Sequence, residues 1–249
     1  MDMPRRYEKG RTSRKSRKRL IVIVAACAIV VTIVLVISLS GRDPAVTFPD
    51  PNLEAEIREA IEKPAGHIYE SDLETLTVLD APGQLESDTN IQDLSGLQYC
   101  SNLIDLNFEM NSHIRDISPL SGLTSLTKLD LWHNQISDIS PLGNLASLTC
   151  LELGDNEIVD ISPLGNLTGL EYLYLYSNQI SDISSVANLT NLTSLSLQYN
   201  QVNDISPLAN LTGLISLDLW NNQITDISTL AELTNLMYLY LPRNQISDI

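Results

Sequence analysis

The same pattern of residues returns every 22 positions along most of this chain, and no other property of the sequence constrains the fold as strongly. A fixed period means that each unit meets only its neighbours, so the chain builds a stack of like coils rather than a core assembled from distant segments. The unit is plainest in LTNLTSLSLQYNQVNDISPLAN, Leu189 to Asn210. It recurs at Leu123–Asn144, Leu145–Asn166, Leu167–Asn188 and Leu211–Glu232, which makes five full units in register. Cys100 to Gly122 carries one extra residue after Asn111, a degenerate unit runs from about Leu73 to Tyr99, and a partial one spans Leu233 to Ile249.

With Leu189 as place 1, apolar side chains occupy places 1, 4, 7, 9, 14, 17 and 20: Leu189, Leu192, Leu195, Leu197, Val202, Ile205 and Leu208. That spacing fits neither a helix nor a plain strand. The alternation at places 6 to 10, Ser194-Leu195-Ser196-Leu197-Gln198, predicts a short strand with one buried face, and the rest of the unit returns the chain to the next coil. Place 12 is Asn in every unit from Asn111 to Asn244. An inward Asn satisfies backbone groups orphaned where the strand ends, so stacked copies predict a ladder. Place 16 is Asp from Asp116 to Asp248, followed in most units by Ile-Ser-Pro. This predicts a capped helical turn on the outer side, with Pro119, Pro141, Pro163 and Pro207 preset for the bend.

One unit buries too little to offset the ordering of its own backbone, so stability comes from stacking and the ends need covers. Within Phe48–Lys63, Asp50 as N-cap, Pro51 at the first helical position and Leu53, Ile57 and Ile61 at four-residue spacing predict an amphipathic helix that closes the first end. The sequence stops at Ile249, place 17 of its unit, with Leu239, Leu241 and Ile246 unopposed; the expectation is a chain that continues or has lost a cap.

The unit with NQISDISPLGNL (Asn134 to Leu145), preceded by FPDPNLEAEIREAIEK (Phe48 to Lys63), resembles the internalin class of bacterial leucine-rich-repeat surface proteins over about residues 46 to 249. The resemblance implies an α/β leucine-rich-repeat solenoid with a parallel β-sheet on the concave side, short 3-10 helices and turns on the convex side, and an N-terminal helical cap. It also implies that the inner face of the array grips a partner protein. No wall-sorting signal, wall-binding module or following immunoglobulin-like segment is visible, and a role in host invasion is not carried over.

Places 6, 8, 10 and 11 point away from the core, and the fold leaves them free. They hold eight of the thirteen aromatic residues, including both Trp: Trp132, Tyr172, Tyr174, Tyr176, Tyr199, Trp220, Tyr238 and Tyr240. Aromatic side chains favour strands, yet rigid amphipathic rings grouped on an exposed surface have the composition of a recognition hot spot. Tyr172, Tyr174 and Tyr176 form one row, with Trp132 two strands before, Trp220 two strands after, and Gly154 leaving a gap. Asp130, Glu152 and Asp218, with Asp105, Glu109 and Asp155, give this face a negative field and point to a protein partner with a basic patch. The nominated partner-binding residues are thus the eight aromatics with Asp130, Glu152 and Asp218. A glycan is the alternative ligand, because Tyr and Trp rows also stack on sugar rings; an envelope scaffold is a third reading. A region this acidic repels nucleic acid.

Residues 1 to 19 carry nine Lys or Arg against Asp2 and Glu8, whereas residues 42 to 249 carry six against twenty-nine acids. Between them, Leu20 to Leu39 is an uncharged, mainly apolar run long enough to cross a bilayer as a helix. The basic cluster Arg14 to Arg19 places the N-terminus in the cytoplasm and the repeats outside a prokaryotic cell, by the positive-inside rule. Two other readings are a signal peptide cut after Ser38-Leu39-Ser40 and a lipoprotein box at Val24-Ala25-Ala26-Cys27. The layout is a basic tail at 1–19, a single-pass transmembrane anchor at 20–40, a linker at 41–47, the helical cap at 48–72 and repeats at 73–249.

No disulfide framework, metal-ligand spacing or phosphate loop stands out, so no catalytic, cofactor or metal residue is nominated and the chain reads as a non-enzyme. His113 and His133 come from adjacent coils. Asp130 and Glu152 share a column, but an open sheet is expected to leave both solvated, with nothing to separate their titration.

Overall fold

The computed structural model describes residues 43–247 apart from 85, 86 and 88. Eight three-residue strands pair in parallel and in chain order: β3 (Val78–Asp80), β4 (Asp105–Asn107), β5 (Lys128–Asp130), β6 (Cys150–Glu152), β7 (Tyr172–Tyr174), β8 (Ser194–Ser196), β9 (Ser216–Asp218) and β10 (Tyr238–Tyr240). Like places stand opposite one another: Leu129 pairs with Leu151, Leu151 with Leu173, and Leu173 with Leu195. The solenoid expected from the period is the fold observed, and its spine is continuous. Leu189, Leu192, Leu195, Leu197, Val202, Ile205 and Leu208 are all buried, as are their counterparts in the preceding coil; in the following coil Ile227 and Leu230 are partly buried.

The strand ends where the chain turns inward. Place 11 adopts the left-handed conformation in every coil from Met110 to Arg243, with φ between 52° and 59°, although no glycine stands there. That residue swings place 12 into the interior, where the Asn side chain works as a bracket. Asn178 Nδ2 donates to the carbonyls of Leu153, Leu175 and Tyr176, and its Oδ1 accepts from the Ile158 N–H of the preceding coil at 2.9 Å. The same pattern holds at Asn156, Asn200 and Asn222. It fails at Asn134, whose buried Oδ1 has no partner. The preceding coil is the one with the extra residue, and Ser112 there takes a second left-handed conformation at φ 61°, so the insertion costs one rung of the ladder.

On the other side of each coil the place-16 carboxylate accepts from the N–H two residues on: Asp116 from Ser118, Asp138 from Ser140, Asp160 from Ser162 and Asp182 from Ser184, each at 2.8 Å. These bonds start the 3-10 helices Ser118–Leu120, Ser140–Leu142, Ser162–Asn166 and Ser184–Asn188.

Helix α1 (Pro51–Ala60) lies against β3 and buries Leu53 and Ile57. Asp50 ties it down with both oxygens. Oδ1 accepts from the N–H groups of Asn52 and Leu53, and Oδ2 from those of Gln92 and Asp93. Burial acts to raise the Asp50 carboxyl pKa, but the four donors outweigh it and hold the group below its ordinary value. A two-stranded antiparallel ribbon, β1 (Ala45–Val46) with β2 (Ile68–Tyr69), and the short helix α2 (Glu70–Leu73) complete this end. At the other end Leu239, a place-7 leucine, is 40% exposed where its counterpart Leu217 is fully buried. Among the described residues no helix is long and apolar enough to cross a membrane; the Leu20–Leu39 run lies outside them.

Candidate functional site

From β3 to β9 each strand turns its place-7 leucine into the core, and the place-6 and place-8 side chains alternate with it to the other face, where Ser196 is the buried member, so the sheet has one open face. Place 9 is buried again and place 10 returns to the open face before the left-handed residue at place 11. The order of side chains across that face follows from the register: Asn107, Asp130, Glu152, Tyr174, Ser196 and Asp218 form one column at place 8.

The acids of this column are not idle. Asp130 Oδ1 accepts from the Trp132 N–H at 2.9 Å, Glu152 Oε1 from the Gly154 N–H at 2.8 Å, and Asp218 Oδ1 from the Trp220 N–H at 3.0 Å. Asn107 does the same for Glu109. Each of these four side chains thereby holds the chain as it leaves the strand, and the three carboxylates each keep a second oxygen.

Glycine at 154 lets the next coil lean in. A Cβ at that position would come within 2.4–2.7 Å of the Tyr176 ring, so the ring lies directly over the backbone there. The expected gap between Trp132 and Tyr176 is therefore filled by Tyr176 itself. This has an electrostatic consequence. Burial pushes the Glu152 carboxyl up to about 8 despite the bond from Gly154, and Asp130 and Glu109 add to the rise by repulsion. Asp130 moves up from its ordinary value for the same leading reason, against the pull of the Trp132 N–H and with Glu109 pushing the same way. Tyr176 is raised first by burial and then by Glu152, Asp130, Asp155 and Glu109. The Cys150 thiol is raised by burial and by its acidic neighbours. The expectation of two freely solvated carboxylates at 130 and 152 is thus overturned, because neighbouring side chains exclude the water that an open sheet would supply.

The aromatics fall into two groups. Tyr199 and Trp220 meet at a ring-centroid distance of 4.7 Å and a tilt of 59°, with the Arg243 guanidinium 5.3 Å from the Trp220 ring. Trp132 meets His133 at 5.9 Å, and His133 Nδ1 bonds Asp155 of the next coil.

The profile for leucine-rich repeats in two copies matches residues 124–166, 146–189, 168–210 and 212–249. Among solved structures the chain is similar to internalin C2 of Listeria monocytogenes, at 41% identity and a TM-score of 0.76, over 81% of this chain and 88% of that one. The chain belongs to the internalin-type leucine-rich-repeat proteins. A second internalin (inlF) of that organism is 37% identical with a TM-score of 0.59, over 81% of this chain and 72% of that one. Comparison with curated proteins finds no match.

On this internalin-type array the nominated residues separate. Trp132, Tyr174, Tyr176 and Trp220 are half-buried, whereas Tyr172, Tyr199, Tyr238 and Tyr240 are exposed. Asp130, Trp132, Glu152 and Tyr176 are brought together; Tyr238 and Tyr240 stand on β10, three strands from β7. Three members of the face were not nominated from sequence. His133 and Asp155 bond each other across coils, and Arg243 puts a cation on a face read as acidic. All three sit at place 11, so their shared position in the repeat was the available signal. His133 engages Asp155 rather than the His113 of the coil before it.

Proposed function

We propose that this internalin-type protein is a cell-surface recognition module that holds a protein partner on the open face of its sheet. The observation that carries the reading is the concentration of aromatic residues there: both Trp and six of nine Tyr project from places the coil does not need for its own stacking. Large rigid rings with polar tips supply contact area at low entropic cost, and the acids among them favour a partner with a basic patch. The partner-binding set is Asp130, Trp132, Glu152, Tyr172, Tyr174, Tyr176, Tyr199, Asp218, Trp220, Tyr238 and Tyr240.

Binding rather than catalysis is the role proposed. The sequence supports tethering of the array by Leu20–Leu39 as a single-pass anchor, with the basic tail at 1–19 in the cytoplasm and the cap and repeats, 48–72 and 73–249, outside the cell. A glycan ligand is the second reading, favoured by the exposed Tyr172 beside Tyr174 on one strand. Capture of protein ligands and glycan-array binding, run in parallel on the wild type and on a variant with Tyr174, Tyr176 and Trp220 changed to Ala, test both. Loss of protein capture in the variant is expected; retained capture rejects the surface, and binding confined to glycans favours the second reading.

A further inference from the structure

Between β7 and β10 the open face changes character. The place-6 row reads Tyr172, Ser194, Ser216, Tyr238 and the place-8 row reads Tyr174, Ser196, Asp218, Tyr240, each in strand register. A pair of tyrosines thus stands on each outer strand, and the two strands between them carry short side chains. The result is a trough that runs along the strands. Neighbouring strands lie about 4.8 Å apart, so about 14 Å separates the two walls. The exposures agree: Tyr172, Tyr238 and Tyr240 are 42%, 58% and 52% exposed, whereas Ser196 on the floor is 8% exposed. The Ser196 side chain projects from place 8, and its hydroxyl has no hydrogen-bond partner among the described residues. At the place-10 and place-11 end, Tyr199, Trp220 and Arg243 of three successive coils cluster across the trough. Arg243 is exposed and takes part in no ion pair among the described residues.

We propose that one α-helix of the protein partner lies in this trough, along the strand direction, with its C-terminal end toward Arg243. The inference rests on the reading of the open face as the docking surface for a protein and names the element that fills its C-terminal half.

Three features select a helix. With its side chains a helix is about 10–12 Å across, which matches the space between the tyrosine walls. The floor strands β8 and β9 are each paired on both sides, so the floor has no free ladder edge to offer an extended segment. A strand or loop pressed into the trough would bury backbone groups without partners, whereas a helix satisfies its own and brings only side chains to the rings. The charges fix the direction. The last carbonyls of a helix are unpaired and carry a partial negative charge, and Arg243 is the one cation at that end of the face. The unpaired Ser196 hydroxyl takes a polar side chain from the buried side of the helix.

The test pans the full-length chain, in neutral detergent, against two displayed libraries: a helical hairpin randomised along one helix, and disulfide-closed loops. Helical binders are expected. Ser194→Tyr fills the floor at a place where the preceding coil already carries Tyr172, so the fold tolerates it, and it should weaken a selected helix at least about tenfold. Val159→Tyr adds a similar ring at an exposed position on the opposite side and keeps wild-type affinity. Arg243→Gln should weaken binding about threefold. A spin label at the C-terminus of the selected helix should broaden the Trp220 indole NMR signal, and one at its N-terminus should not. Selection of loops alone, helices indifferent to Ser194→Tyr, or broadening from the N-terminal label overturns the inference. If protein capture still depends on Tyr174, Tyr176 and Trp220, the docking surface survives that failure; if it does not, both readings fall.

Discussion

Replacing Asn178 by Ala removes a side chain that makes four hydrogen bonds in the interior: Nδ2 to the carbonyls of Leu153, Leu175 and Tyr176 at 2.9, 3.1 and 3.2 Å, and Oδ1 from the Ile158 N–H at 2.9 Å. A buried bond contributes about 0.5–1.5 kcal/mol net, and each backbone group left without a partner costs roughly 1–3 kcal/mol. Allowing for carbonyls that keep other partners, the loss is on the order of 3–5 kcal/mol. Asn134→Ala provides the internal comparison. Its Nδ2 makes the same three donations, but its Oδ1 is already unpaired, so truncation orphans no N–H and removes one buried, unsatisfied acceptor. The cost should be smaller by about 1–2 kcal/mol. Urea unfolding followed by circular dichroism at 25 °C, with midpoint and slope fitted separately, measures both. Asn156→Ala should behave like Asn178→Ala, since its ladder bonds are intact. If Asn134→Ala costs as much as the other two, or if all three cost less than about 1 kcal/mol, the ladder does not hold the coils as described.

The other predictions concern the open face and the turn behind it. Gly154→Ala drives the Tyr176 ring off the backbone and readmits water to Glu152; a carboxyl-detected NMR titration should follow Glu152 from about 8 down toward the ordinary carboxylate range, and an unchanged midpoint contradicts the proposed cause. Ser177 sits at φ 52°, so Ser177→Val should cost about 1–2 kcal/mol whereas Ser177→Gly should leave stability within about 0.5 kcal/mol of wild type, as read by thermal unfolding. Stability should also depend on pH through Glu152. The folded chain keeps this proton to about pH 8 while the unfolded chain releases it near 4.5, so stability is full below 4.5 and falls as pH rises toward 8. After allowance for solvent screening the decline is about 1–2 kcal/mol, and Glu152→Gln should flatten that part of a urea-midpoint profile; an unaltered slope assigns the pH dependence elsewhere.

The coil was legible in the sequence because its determinants repeat. Leucine spacing, the Asn column and the Asp-Ile-Ser-Pro turn are local, so each unit restates the same rule, and burial of Leu189 through Leu208 follows it place by place. What repetition did not reveal lies between coils or departs from the consensus. The left-handed residue at place 11 carries no glycine, so its backbone was hidden behind His133, Asp155, Ser177 and Tyr199. The extra residue after Asn111 was visible, but its cost, one ladder bond at Asn134, depends on where the backbone N–H of the neighbouring coil points. Asp130, Glu152 and Asp218 read as free acids because the bond each accepts from the backbone two residues on leaves no pattern in composition. The shift of Glu152 depends on Tyr176 leaning back over Gly154, a side-chain direction that strand alternation does not specify.

The most direct measurement places a photo-crosslinking side chain at position 174, on the open face, or at exposed position 159, on the opposite side of the coil, and irradiates the full-length protein against candidate surface ligands. A protein adduct is expected at 174 and none at 159; equal yields at both positions, or an adduct at 159 alone, would rule out the open face as the docking surface.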